Sequence, residues 1–234
     1  MGVMDKAKQA ALAAAVNGAL GYLEKDPEEN LPKLMELVDR LSPDGWYEGQ
    51  RGAVRSAIQN KDNWYAHYQA GVGYFTREDY TSAEKELKTS WYLRKSAWAA
   101  HALASAAVLS GHDTETVQWI GEGLKLEHKN LSYLKDALKL LSYCKAWEEI
   151  IRWYEAFDEE EKKAGKLRYY YISALYHIGK AKEALELLEE NGGLEIPDIR
   201  EGEDSIAQLY LDIQKTLTGK DVPLPFKYDF RAGF

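Results

Sequence analysis

The sequence predicts an all-α fold: an α-α superhelix of about four repeated helix pairs, with further helices ahead of the array and a capping helix behind it. Three observations carry that reading. Apolar residues recur at three- and four-residue spacings along most of the chain, which is the period of one helix face. Clusters of Gly, Pro, Asn and Asp interrupt the pattern often enough to limit each helix to a few turns. From Trp64 onward the whole pattern recurs every 33 to 34 residues.

The first helix is expected from about residue 5 to residue 25, on the stripe Leu12, Val16, Leu20 and Leu23. Asp26-Pro27-Glu28-Glu29 then restarts the chain, with a capping aspartate, a proline at the first helical position and acids in the first turn. Leu31, Leu34, Val38 and Leu41 give the second helix its face, and Ser42-Pro43-Asp44-Gly45 ends it. A third helix turns Tyr47, Val54 and Ile58 inward and stops at Asn60-Lys61-Asp62-Asn63, completing an N-terminal three-helix section over residues 1–62.

Residues 63–193 hold the repeats, with units starting near Trp64, Ala97, Leu131 and Gly165. Each needs small residues where its two helices cross, larger ones around them, and a turn between. The first unit offers Ala70-Gly71, then Ala83 and Leu87 beyond a turn at Glu78-Asp79-Tyr80. The second offers Leu103-Ala104 and Ala107, a turn at Gly111, then Ile120, Gly123 and Leu124. The third has Leu138, Leu141, Trp147, Ile150, Tyr154 and Phe157 but no glycine at its turn. The fourth reads Ala174-Leu175-Tyr176-His177-Ile178-Gly179, then Glu183-Ala184-Leu185. Four such units in phase resemble the tetratricopeptide-repeat (TPR) family, over about residues 64–191.

Residues 194–234 are read as a loop, a capping helix from about 204 to 217 on Ile206, Leu209, Tyr210 and Ile213, and an extended aromatic tail. A solenoid needs such a helix to cover its last apolar face. The prolines at 223 and 225 prevent helix in the tail, and its aromatics suggest packing on the body. Residues 191–204, together with Asp229-Phe230-Arg231, look like the C-terminal TPR part of bacterial carbohydrate-utilisation-associated proteins. Residues 21–39 are similar to a helical segment of some bacterial radical enzymes, but no cluster-binding cysteines accompany them.

A formal charge of −8 with no basic run argues against nucleic acid as a partner. No stretch approaches the ~20 apolar residues of a membrane span. The single cysteine, Cys144, rules out an internal disulfide and favours a reducing compartment, so a bacterial, cytoplasmic location is expected. No phosphate loop, dinucleotide fingerprint or helical histidine pair is present, so neither cofactor nor metal nor catalytic activity is expected.

The TPR resemblance implies that the first helix of each unit lines a concave groove through its positions 2, 5, 9 and 12 to 13. Those positions hold Tyr65, Tyr68 and Phe75 in the first unit, and Trp98, His101 and Ser105 in the second. The third contributes Lys135, Lys139 and Tyr143, and the fourth Tyr169, Tyr176 and His177. Aromatic faces with a cationic centre suit a protein or peptide partner, with a glycan or a second copy of the chain as alternatives. Tyr68 and Val72 stand where chaperone-binding TPRs place the Lys and Asn of a carboxylate clamp, so chaperone-tail recognition is not expected.

Overall fold

The computed structural model describes residues 64–193, 196 and 205–229. The expected N-terminal three-helix section, most of the loop at 194–204, and Phe230 and Arg231 lie outside the described residues. Every regular element among those described is helical. The chain divides into two compact units, Met1–Lys95 and Ser96–Phe234.

In the first unit, α1 (Trp64–Phe75) and α2 (Tyr80–Leu93) form one helix pair. They cross at Gly71, where an added β-carbon would lie 2.5 Å from Leu87 Cγ. Ala70, Ala83 and Leu87 fill that crossing, all fully buried. Asp79 caps α2 by accepting from the Ser82 amide at 3.1 Å, and the Ser82 side chain first, with that amide second, holds its carboxyl below the usual range.

The second unit continues with three more pairs: α3 (Ala97–Leu109) with α4 (Asp113–Leu126), α5 (Leu131–Tyr143) with α6 (Trp147–Ala156), and α8 (Gly165–His177) with α9 (Ala181–Glu189). A single-turn helix, α7 (Glu159–Lys162), precedes α8, and α10 (Ser205–Thr218) closes the unit. The first helices of the second, third and fourth pairs begin at Ala97, Leu131 and Gly165, the positions the repeat spacing indicates. Side-chain caps set two of those starts, Ser96 accepting from the Ala99 amide and Asn130 from the Tyr133 amide, each at 3.1 Å.

All four inter-helix turns close in the same way. Backbone amides of Asp79, His112, Ala146 and Lys180 donate to the carbonyls five residues back, on Tyr74, Ala107, Leu141 and Leu175, at 2.9 to 3.1 Å. That six-to-one closure puts the residue before each donor in the left-handed region. The residues there are Glu78 (φ 63°), Gly111 (75°), Lys145 (53°) and Gly179 (87°). The third repeat, which lacks a turn glycine, therefore forms the same turn with a lysine in the strained position.

Leu134, Leu138, Leu141, Ile150 and Leu167 build the middle of the second unit, all fully buried. Towards its end, Leu175, Ala184 and Leu188 meet Ile206, Leu209 and Ile213 of α10, so the expected cap is present. The tail folds back here. Tyr228 is 1% exposed, donates to the Leu188 carbonyl at 3.1 Å and packs on Tyr210 at 5.0 Å. Burial, with Glu189 and Tyr210 alongside, pushes its phenol up to about 12. Lys227 donates to the Gly192 carbonyl at 3.2 Å. Phe226, by contrast, is 73% exposed. Among the described residues no helix is long and apolar enough to cross a membrane.

Candidate functional site

The expected groove residues divide sharply by environment. In the first unit, Tyr65 and Tyr68 are 7% and 6% exposed, so both rings are buried. Tyr65 accepts a bond from Gln69 at 2.7 Å, and burial raises its phenol pKa further than any other factor. Phe75 is half-buried and packs edge-on against Tyr80 at 5.7 Å, across the α1–α2 turn. Neighbouring His67 is buried against Glu86 at 2.6 Å.

In the second unit the same helix positions behave differently. Trp98 and His101 on α3 are half-buried and flank Tyr133 of α5, with ring centroids 5.7 and 5.6 Å from it. Burial holds the His101 imidazole below its ordinary value, with Asp136 pulling weakly the other way. Its Nε2 is buried without a hydrogen-bond partner. Ser105 points back to its own helix, donating to the His101 carbonyl at 2.9 Å.

A polar recess lies between α5 and α8. Lys135, Lys139 and Lys166 line a recess of about 300 Å³ together with Ser132, Asp136 and Tyr170. Helical spacing explains the first pair: residues four apart sit one above the other on the same face. The Lys139 ammonium lies 5.7 Å from the ring of Tyr143, which is 60% exposed at the end of α5. Three lysines and one aspartate thus line the same recess, in a protein whose formal charge is −8. Lys166 is the residue that sequence reasoning missed. It occupies position 2 of the fourth unit, so the position rule that selected Trp98 also selects it.

The remaining predicted residues are not brought to this recess. Tyr169 packs edge-on against Tyr170 at 5.4 Å. Tyr176 shares a hydrogen bond with Thr216 of α10 at 3.2 Å, and His177 stacks on Trp147 of α6 at 4.2 Å. These two join repeat to repeat and repeat to cap. A second recess of about 280 Å³ holds Tyr154, Lys162, Lys163 and Arg168, whose cations each meet a carboxylate. Arg168 meets Glu190 at 2.8 Å, Lys162 meets Glu159 at 2.9 Å, and Lys163 meets Glu160 at 2.6 Å.

The sequence matches no protein-family model and no curated protein. Solved structures do resemble it. YrrB, described as a TPR protein with an unusual peptide-binding site, is 14% identical with a TM-score of 0.53, over 73% of this chain and 89% of that one. MamA is also 14% identical with a TM-score of 0.53, over 81% of this chain and 95% of that one. At that identity the likeness establishes a TPR fold and leaves the ligand to be argued from this chain's own residues.

Proposed function

We propose that the chain is a non-catalytic scaffold that holds a protein or peptide partner on the first helices of its second to fourth repeats, α3, α5 and α8. The observation that carries this reading is the recess between α5 and α8, where Lys135, Lys139 and Lys166 converge. TPR folds commonly serve as interaction scaffolds, and YrrB, of the same fold, is described as binding peptide. Partly exposed aromatic and cationic side chains offer contact area and charge without a catalytic constellation to match. The lone cysteine favours a cytoplasmic setting for the partner.

Position-specific photo-cross-linking tests the reading. A photoreactive residue placed at Tyr143 or Lys139, on α5, is expected to capture a partner in the source cell. The same residue at Arg152 or Lys182, exposed on second helices, is expected not to. Capture only from the second helices would sink the assignment. The likeness of residues 191–204 to carbohydrate-utilisation proteins makes a glycan the competing ligand. Binding of the purified protein on a glycan array, with no partner captured at Tyr143, would favour it instead.

A further inference from the structure

The last carbonyls of a helix have no partner within it and carry partial negative charge, so they attract donors and cations. At the end of α9 such donors arrive from two directions. Arg168 of α8 reaches the Leu187 carbonyl at 3.3 Å, and Tyr228 of the tail reaches the Leu188 carbonyl at 3.1 Å. Lys227 donates just beyond, to the Gly192 carbonyl at 3.2 Å, with Glu189 3.8 Å from its ammonium. Gly193 lets the tail come close. A β-carbon there would lie 3.3 Å from Lys227 Cδ and 3.4 Å from the Tyr228 hydroxyl.

The tail is held as a bound peptide is held. Residues 221–225 form no helix, and Val222 and Leu224 pack on the core while Pro223 between them is exposed, the two-residue alternation of an extended segment. A single turn, Phe226–Tyr228, then closes on itself, the Tyr228 and Asp229 amides donating to the Pro225 and Phe226 carbonyls at 3.0 Å. The body is therefore engaged through side chains. Among them, the Tyr228 ring is buried against Tyr210 and its hydroxyl is read by a carbonyl, which separates tyrosine from phenylalanine. Lysine suits the helix end and Glu189 by charge, on a chain whose balance is acidic. The base of the tail is tied to α10 by the exposed Lys215–Asp221 pair at 3.0 Å, a link of little net weight. We propose that the end of α9, with Tyr210 of α10, is a second peptide-binding site that takes a Lys-Tyr segment of a partner protein and is filled in the free chain by its own tail, a tethered ligand. This site is separate from the face of α3, α5 and α8 and does not depend on it.

The test uses the full chain carrying Tyr228→Ala, which empties the site, and a dye-labelled peptide with the sequence of residues 222–229, read by anisotropy. The peptide should bind this variant saturably and raise its thermal midpoint as peptide concentration rises. The unaltered chain should bind at least about tenfold more weakly, because the tethered tail competes at an effective concentration near the millimolar range. A peptide with Phe for its Tyr should lose about fivefold in affinity by leaving the Leu188 carbonyl unpaired, and one with Gln for its Lys a similar factor. A peptide with Ala for its Tyr should not bind. Tyr228→Phe, which keeps the ring, serves as the second variant if Tyr228→Ala loses helical circular dichroism. There the native peptide should compete at severalfold lower concentration than with the unaltered chain.

Failure of the native peptide to bind or stabilise a folded variant would overturn the proposal. Equal binding of the Tyr and Ala peptides would do the same, as would equal binding by the variant and the unaltered chain, since either places the peptide elsewhere. Self-association of the unaltered chain that Tyr228→Ala abolishes would assign the site to the tail of a second copy and remove the partner segment.

Discussion

The hydroxyl of Tyr133 occupies the space that a β-carbon on Gly123 would need, 1.9 Å from where that carbon would sit. From there it donates to the carbonyl of Ala97 at 3.1 Å, tying the first helix of the third repeat to the first residue of α3. Glycine is needed at position 123 for proximity and not for backbone freedom. Gly123→Ala should cost about 2 kcal/mol, because a fully buried aromatic cannot yield without disturbing its neighbours. Tyr133→Phe alone should cost about 1 kcal/mol through the lost hydrogen bond. In the double variant the clash is largely gone and alanine favours the helix, so the two costs should be far from additive. Urea denaturation of the four proteins measures the cycle, and strict additivity would refute the proposed contact.

The turn at Lys145 makes a second prediction. A non-glycine residue at φ 53° bears a backbone penalty that glycine escapes. Lys145→Gly should raise stability by about 0.5 to 1 kcal/mol, even after the greater freedom glycine gains in the unfolded chain. Gly179→Ala, at φ 87° with no atom near its would-be β-carbon, should lower it by about 1 kcal/mol. Thermal melts of both variants read the two signs, and a stabilised Gly179→Ala would contradict the turn geometry.

His101 predicts a pH dependence. Its folded-state pKa lies below the ordinary 6.5, chiefly through burial, so the unfolded chain binds the proton more readily. The stabilising contribution is complete above about pH 6.5 and is lost as pH falls from there through the folded value. His177, also lowered by desolvation, acts in the same direction. Urea midpoints should therefore drop between about pH 7 and about pH 5, and His101→Gln should make that drop shallower. An unaltered slope would show that His101 does not carry it.

Tyr228 is expected to secure the C-terminal cap. Tyr228→Ala should cost about 3 kcal/mol by emptying a fully buried site, and Tyr228→Phe about 1 kcal/mol by releasing the Leu188 carbonyl. Hydrogen exchange should localise the loss to α9 and α10. A uniform loss of protection across the second unit, with no excess there, would count against this local role.

Repeat phase was legible in the sequence because it depends on short-range rules. Periodic apolar positions and caps such as Ser96 and Asn130 place each first helix within its own segment. The third turn was legible only as an anomaly, since its backbone closure tolerates Lys145 without advertising the strain. Side-chain destinations were harder to read. Tyr65 and Tyr68 occupy groove positions by counting, yet their burial depends on tertiary neighbours that a position rule does not contain. Tyr133 reads as another helical tyrosine until the vacancy beside Gly123 is known. The cationic pair Lys135 and Lys139 was visible because four-residue spacing fixes a shared face. Lys166, at position 2 of the fourth unit, was within reach of the same position rule, and the packing of α8 against α5 is what places it beside that pair.

The tail contact has a consequence for how the protein is made. Tyr228 lies 40 residues after Leu188, whose carbonyl it binds. At ribosomal rates of about 5 to 20 residues per second, roughly 2 to 8 seconds separate synthesis of the last repeat from synthesis of the residue that seals it. During that interval α10 brings Ile206, Leu209 and Ile213 onto the apolar side of α9, but the Leu188 carbonyl waits for its tyrosine. A nascent chain paused there would be a natural client for chaperones, and the yield of native protein should respond to codon choice between the two residues.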